Sequence, residues 1–277
     1  MKRLFIAFVT VCMVTGLMVS CIDKSVIKEA IKEAAEEAYY DDDDDFDEGF
    51  RDSGKWGKVV TKEILLSDFK NIVMDGHVDV IYNNGDTTRV TIHGNEEVIG
   101  MYSFRSEGGV LEVRPKKSIT HRVPSLTLHI VTPDLASVQL NGTGDIDIRS
   151  RVSFGDFAIY LNGTGDVDIS DMECNSLVIN DTGTGDIKLR NVECRNNANI
   201  VNPGTGDVKA YVTANCITID NSGTGDVELD VECTNLIANS SGTGEIELKG
   251  QTDLFTRNVG SLSKIDSKKL RAKTINR

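Results

Sequence analysis

The sequence predicts an all-β protein: a parallel β-helix-like solenoid of about six rungs, preceded by a β-rich N-terminal cap. Three observations carry this. A short phrase recurs six times at an even spacing. Apolar and polar residues alternate on both sides of every copy. No helical periodicity separates one copy from the next.

The copies run over residues 141–148, 162–169, 182–189, 203–210, 222–229 and 241–248, and each contains Gly-Thr-Gly followed by Asp or Glu. Their leading glycines are Gly142, Gly163, Gly183, Gly204, Gly223 and Gly242, spaced 19 to 21 residues apart. The phrase reads as a turn feeding a strand. Glycines on both sides of Thr supply backbone angles that a Cβ disfavours. The acidic residue accepts hydrogen bonds from the N–H groups of its own turn. Beyond the turn, Ile146, Asp147 and Ile148 begin a period of two that every copy repeats, the mark of a half-buried strand. A second strand precedes each turn, with Phe157, Ile159, Leu177 and Ile179 on its inward side. About twenty residues suit one rung of a solenoid, whereas a propeller blade needs roughly forty. Six rungs at ~4.8 Å make a rod roughly 30 Å long.

Residues 58–135 are β-rich without the phrase and read as a layer capping the rod, with turns at Asn83–Asp86 and Glu107–Gly109. Residues 136–277 hold the repeat, and 58–277 read as one continuous domain. Leu254, Gly260 and Ile265 mark a decayed seventh rung, and the basic tail from Lys264 to Arg277 is expected to cover the open end, since a bare edge recruits other chains.

The N-terminus carries an address. Lys2 and Arg3 precede an apolar run that ends at Ser20-Cys21, a secretory-signal pattern over residues 1–20. Cys after a small residue resembles the lipobox of bacterial lipoproteins, which implies acylation of Cys21 and membrane attachment through lipid. Residues 21–57 then read as the anchor, an Ala-rich amphipathic helix over 25–40 and an acidic tether at Asp41–Asp45, Asp47 and Glu48. The chain has 277 residues, 43 acidic and 30 basic, and a formal charge of −13. That balance argues against a nucleic-acid partner, which needs clustered Lys and Arg.

The sequence resembles the family of "putative auto-transporter adhesin, head GIN domain" proteins of the bacterial envelope. The resemblance rests on the lipoprotein-like start, the Phe69–Ile81 region, Leu111–Pro115, Val131–Leu135 and the serial Gly-Thr-Gly-Asp phrases. It implies an all-β, β-helix-like fold and a cell-envelope location. With the lipid anchor, the expected place is the outer membrane of a Gram-negative cell, at its surface, and the expected partner is a protein or glycan ligand. The resemblance brings no catalytic residues.

Three groups of side chains invite chemistry. Asp145, Asp166, Asp186, Asp207, Asp226 and Glu245 stack one per rung, and like charges ~4.8 Å apart repel by about 1 kcal/mol per neighbour in water. Turn N–H donors offset that in the bland reading; a divalent cation between rungs, for which Ca²⁺ suits oxygen ligands, is the sharper one. Thr143, Thr164, Thr184, Thr205, Thr224 and Thr243 form a parallel hydroxyl ladder. Cys174, Cys194, Cys216 and Cys233 each follow a repeat glycine by ten to twelve residues and are expected to form a column of inward thiols. His77, His93, His121 and His129 show no metal-ligand spacing. No other cofactor is implied. A non-catalytic binding or structural module is therefore the leading reading. The alternative is a polysaccharide-degrading β-helix enzyme using Asp147 and Asp168 beside Lys188 and Lys209.

Overall fold

The computed structural model of the protein describes residues 56–120 and 122–276. The signal segment, Cys21, the helix over 25–40 and the acidic tether lie outside the described residues. The chain begins with β1 (Val59–Ile64), β2 (Asn71–Met74), β3 (Val78–Asn84) and β4 (Arg89–Asn95). A five-residue helix α1 (Glu96–Gly100) leads to β5 (Tyr102–Glu107), β6 (Val110–Pro115) and β7 (Leu126–Thr132).

The repeat then supplies β8 (Ser137–Leu140), β9 (Ile146–Ile148), β10 (Val152–Ser153), β11 (Asp156–Leu161), β12 (Val167–Cys174), β13 (Ser176–Asp181), β14 (Ile187–Cys194) and β15 (Asn197–Asn202). Four long strands close the chain: β16 (Val208–Asn221), β17 (Val227–Ser240), β18 (Glu245–Val259) and β19 (Lys264–Asn276). From β8 onward every pairing is parallel and joins equivalent positions of successive turns, as in Val167 opposite Ile187 and Ile159 opposite Ile179. The predicted solenoid is therefore the observed fold.

It has about seven turns. The second half of β18 and β19 form the expected decayed rung, with Ile265 opposite Ile246, and β2 and β3 form a turn inside the stretch read as a cap. Asn71 lies opposite Ser137, Met74 opposite Leu140 and Val80 opposite Ile146, all in parallel. Asp75-Gly76-His77-Val78-Asp79-Val80 thus takes the place of a phrase, 66 residues ahead of the next copy. The intervening chain builds the cap beneath this turn. β6 runs parallel to β2 and β7 parallel to β3, after which β5, β4 and β1 pair antiparallel and end the stack. Lys62 and Glu63 on outermost β1 are exposed, a charged edge that discourages further pairing.

The core is columnar. Ile148, Ile169, Leu189, Ala210, Leu229 and Leu248 stack behind the turns, all buried. The N-terminal turns are filled by aromatics: Phe154 stacks on Phe157 at 4.8 Å and meets Tyr82 edge-on at 5.8 Å.

The repeat glycines are needed for a reason other than the expected one. None lies in the left-handed region; the positive-φ glycines are Gly57, Gly76, Gly94, Gly108, Gly109 and Gly250. A Cβ on Gly163 would instead collide with the carbonyl oxygen of Gly142, and one on Gly165 with that of Gly144. Successive turn backbones approach too closely for any side chain between them.

At the far end the tail does not fold across the opening. Lys264 to Asn276 extends as β19, in parallel register with β18, and its outer edge has no partner among the described residues. Exposed Lys268, Lys269, Arg271 and Lys273 or their neighbours charge that edge, which manages it without a cover. The inward residue of β18 is Phe255, opposite Leu236, while Leu254 is opposite Asn235 and half-exposed.

Candidate functional site

The acidic ladder is real and one member longer than its phrases. The donors come from the neighbouring turn, not from the residue's own. Asp79 Oδ1 accepts from the Asp145 N–H at 3.1 Å, Asp145 from Asp166 at 2.8 Å, and Asp166 from Asp186 at 2.8 Å. Asp186 accepts from Asp207 at 3.0 Å, Asp207 from Asp226 at 2.7 Å and Asp226 from Glu245 at 2.7 Å. Charge-assisted bonds to backbone N–H groups offset the repulsion along the column. Glu245, last in line, sits opposite Lys264 and pairs with its ammonium at 2.5 Å. Burial is the largest influence on Asp145, which is pushed above the usual carboxylate range. Among the described residues no group of three or more His, Cys, Asp or Glu side chains converges as a metal site.

The thiol column has three members, not four. Cys174 lies opposite Cys194, with Sγ atoms 3.0 Å apart. A bulge after Leu189 removes one residue from the following turn, so that Glu193 faces Thr213 and the next position is Ala214, opposite Cys233. Cys216 belongs to another column, between Asn197 and Asn235. The bulge makes offsets of eleven and ten from the repeat glycine equivalent; an offset of twelve in the shorter turn misses by two. The hydrogen bond to Cys174, and then burial, hold the Cys194 thiol well above its ordinary value.

The exposed threonines line the turns as expected, and His77 begins their column, its Nδ1 in contact with Thr143 Oγ1. His93 meets Thr61 Oγ1 at 2.9 Å, and burial, then His93, lower the pKa of His129. His121 lies outside the described residues.

A buried polar column escaped the sequence reading. Asp181, Asn202, Asn221 and Ser240 occupy equivalent inward positions just before the turns, all buried. Asn202 Nδ2 donates to the Gly206 carbonyl at 3.0 Å and Asn221 Nδ2 to that of Gly225 at 2.9 Å. Asp181 has no such donor. Its Oδ1 accepts from the Gly183 N–H at 2.9 Å, but Oδ2 has no hydrogen-bond partner. Burial pushes its pKa up to about 6.

Outward side chains divide the solenoid surface into chemically distinct faces. Beyond the turns, Asp147, Asp168, Lys188 and Lys209 stand in one column, as predicted. Arg149 pairs with Asp147 at 2.6 Å, and Arg190 reaches Asp168 through two nitrogens at 2.7 and 3.3 Å. The two carboxylates are thus neutralised on an outward sheet face. The arginines stand on the same strand faces, two residues beyond Asp147 and Lys188, where the alternation places them. Lys209, then Lys249, pulls the Glu228 carboxyl down to about 2. A further face carries Glu173 and Glu193, both paired to Arg151.

The pre-turn strands present the opposite character. One outward column reads Ser137, Ala158, Val178, Asn199, Thr218 and Ile237. Beside it run Gln139, Tyr160, Asn180, Val201, Asp220 and Asn239. Asp220 is the one charge in the two columns, and it accepts a hydrogen bond from Asn239 Nδ2 at 2.6 Å.

The pattern of the family described as "Putative auto-transporter adhesin, head GIN domain" matches residues 68–214 and 191–276. The chain belongs to this family. The match begins at Asp68, just ahead of the turn that carries Gly76 and Asp79, so it spans the whole solenoid.

Solved structures share the family's fold. A "putative adhesin" from Bacteroides fragilis is 22% identical, with a TM-score of 0.60 over 79% of this chain and 96% of that one. A "putative lipid binding protein" from Parabacteroides distasonis is 18% identical, with a TM-score of 0.53 over 80% and 97%. A "putative adhesin" from the same species is 17% identical, with a TM-score of 0.51 over 76% and 97%. At these identities the likeness is one of fold. No curated protein matches the sequence.

Proposed function

We propose that this chain is an envelope lipoprotein, acylated at Cys21, that presents a non-catalytic, adhesin-like solenoid at the outer surface of a Gram-negative cell. The lipobox-like Ser20-Cys21 and the acidic tether support the anchor and stand-off. The state of the candidate acids supports the non-catalytic reading most directly. A catalytic carboxylate needs access to substrate and a partner carboxylate across a groove. Asp147 and Asp168 are instead held by Arg149 and Arg190 on a sheet face. The names carried by the family and by two of the similar structures point the same way.

Two measurements test the proposal. In cells fed a labelled fatty acid, the chain takes up label and C21S does not; label retained by C21S refutes the anchor. The full chain releases no reducing ends or unsaturated products from acidic or neutral polysaccharides. Turnover abolished by D147A or D168A refutes the non-catalytic reading.

A further inference from the structure

We propose that the pre-turn face binds an uncharged polysaccharide chain lying along its columns. The inference rests on the binding-module reading and assigns that module its face and the chemical class of its ligand.

Charge points to this face first. The chain as a whole carries −13, and the surface beyond the turns is built from paired carboxylates and cations. An anionic polymer meets repulsion from the whole, and a cationic one would compete for acids already paired. The columns led by Ser137 and Gln139 carry only Asp220, already hydrogen-bonded to Asn239. On the turns before Asp220 a neutral ligand can desolvate this strip without burying an unpaired charge.

The side-chain chemistry fits sugar hydroxyls, which both donate and accept. The side chains of Asn180, Asn199, Thr218 and Tyr160 make no hydrogen bond to another described residue, so their donors and acceptors face outward. The Tyr160 ring and the Val178 side chain, each 37% exposed, offer apolar surface to the C–H faces of pyranose rings. Equivalent positions recur every ~4.8 Å along the axis, so an extended polymer can lie along them and meet uncharged groups on successive turns.

Shape and area then exclude other occupants. The backbone of these strands is paired on both sides within the solenoid, which leaves no edge for an added peptide strand. The two columns, about four residues across and six turns high at ~3.3 and ~4.8 Å respectively, give roughly 380 Å². A stable protein complex covers about 800 Å² on each partner. A long narrow strip of this size suits one extended polymer strand.

The test measures binding of the full chain in detergent to immobilised neutral glucan, mannan and galactan, beside polygalacturonate and a sulfated glycan. N180D/N199D adds two charges to the face with almost no change of shape, and V178K/V201K adds two of the other sign. T213K/Q251K adds two charges on another face. Binding to at least one neutral polymer is expected, weakened at least about tenfold by either face pair and less than twofold by T213K/Q251K. Circular dichroism and melting temperature confirm that each variant is folded. Absence of binding to every neutral polymer, preference for the anionic ones, or indifference to both face pairs overturns the inference. The binding-module reading survives those outcomes, and turnover of any of the polymers overturns that reading instead.

Discussion

Replacing Asp181 by Asn stabilises the solenoid at neutral pH, by an amount the structure allows to be worked out. The carboxyl is fully buried, accepts one hydrogen bond from Gly183 and leaves Oδ2 without a partner. Asn202 and Asn221, in the same column, each use an amide nitrogen there to reach the carbonyl of the second turn glycine. Burial raises the pKa of Asp181 from 3.8 to about 6. The folded chain therefore holds the proton to higher pH than the unfolded chain. Stability from this group is fully present below about pH 4 and is lost as pH rises through about 6. About two units of displacement correspond to about 3 kcal/mol at pH 7.5. D181N escapes that penalty and restores the donor. Its melting temperature at pH 7.5 should exceed that of the parent by roughly 6–12 °C, at 2–4 °C per kcal/mol for a domain of this size. Near pH 4 the parent carboxyl is neutral and the two curves should converge. Calorimetric melts at pH 4, 5.5 and 7.5 decide the matter. A D181N chain no more stable than the parent at pH 7.5, or an advantage independent of pH, refutes the reasoning.

Three further outcomes follow from the columns. G165A places a methyl against the Gly144 carbonyl and should cost about 1–3 kcal/mol, read as a lower urea midpoint; an unchanged midpoint means the turns can separate. Mild oxidation should yield a peptide crosslinked between Cys174 and Cys194 in a mass spectrum, and none joining Cys194 to Cys216; the reverse linkage would contradict the register. Millimolar Ca²⁺ or chelator should move the melting temperature by less than about 2 °C, because backbone N–H groups and Lys264 already serve the acidic ladder; a large rise would reveal cation binding.

The period was legible because each turn repeats one set of contacts. Inward Ile159 and Ile179, and Gly163 with its neighbours above and below, meet the same surroundings in every copy. The first turn was hidden for two reasons. Val78 stands where later copies have their second glycine, and 66 residues separate Gly76 from Gly142. The spacing of Gly76, Asp79 and Val80 was the available signal. The glycines were read correctly as indispensable, but for backbone angles rather than close approach. That distinction depends on what lies one turn away. Cys216 was misplaced because a one-residue bulge after Leu189 shortens the turns that follow and moves the offset that marks the column. The ladder donors, and the arginines that hold Asp147 and Asp168, depend likewise on the neighbouring turn or strand position.

A solenoid separates the demands of folding from those of recognition more cleanly than most folds do. Inward residues must fill columns, turn glycines must admit the next backbone, and the ladder acids must receive its N–H groups. The outward positions of the pre-turn strands answer to none of these. Charged side chains there would be solvated at little cost, as they are around Asp168 and Lys209. Yet Val178, Asn180, Asn199 and Val201 leave the middle turns of that face uncharged on a chain of formal charge −13. Packing does not require that composition, whereas contact with a neutral ligand does. A face free of structural duties is therefore the place where this chain can carry specificity.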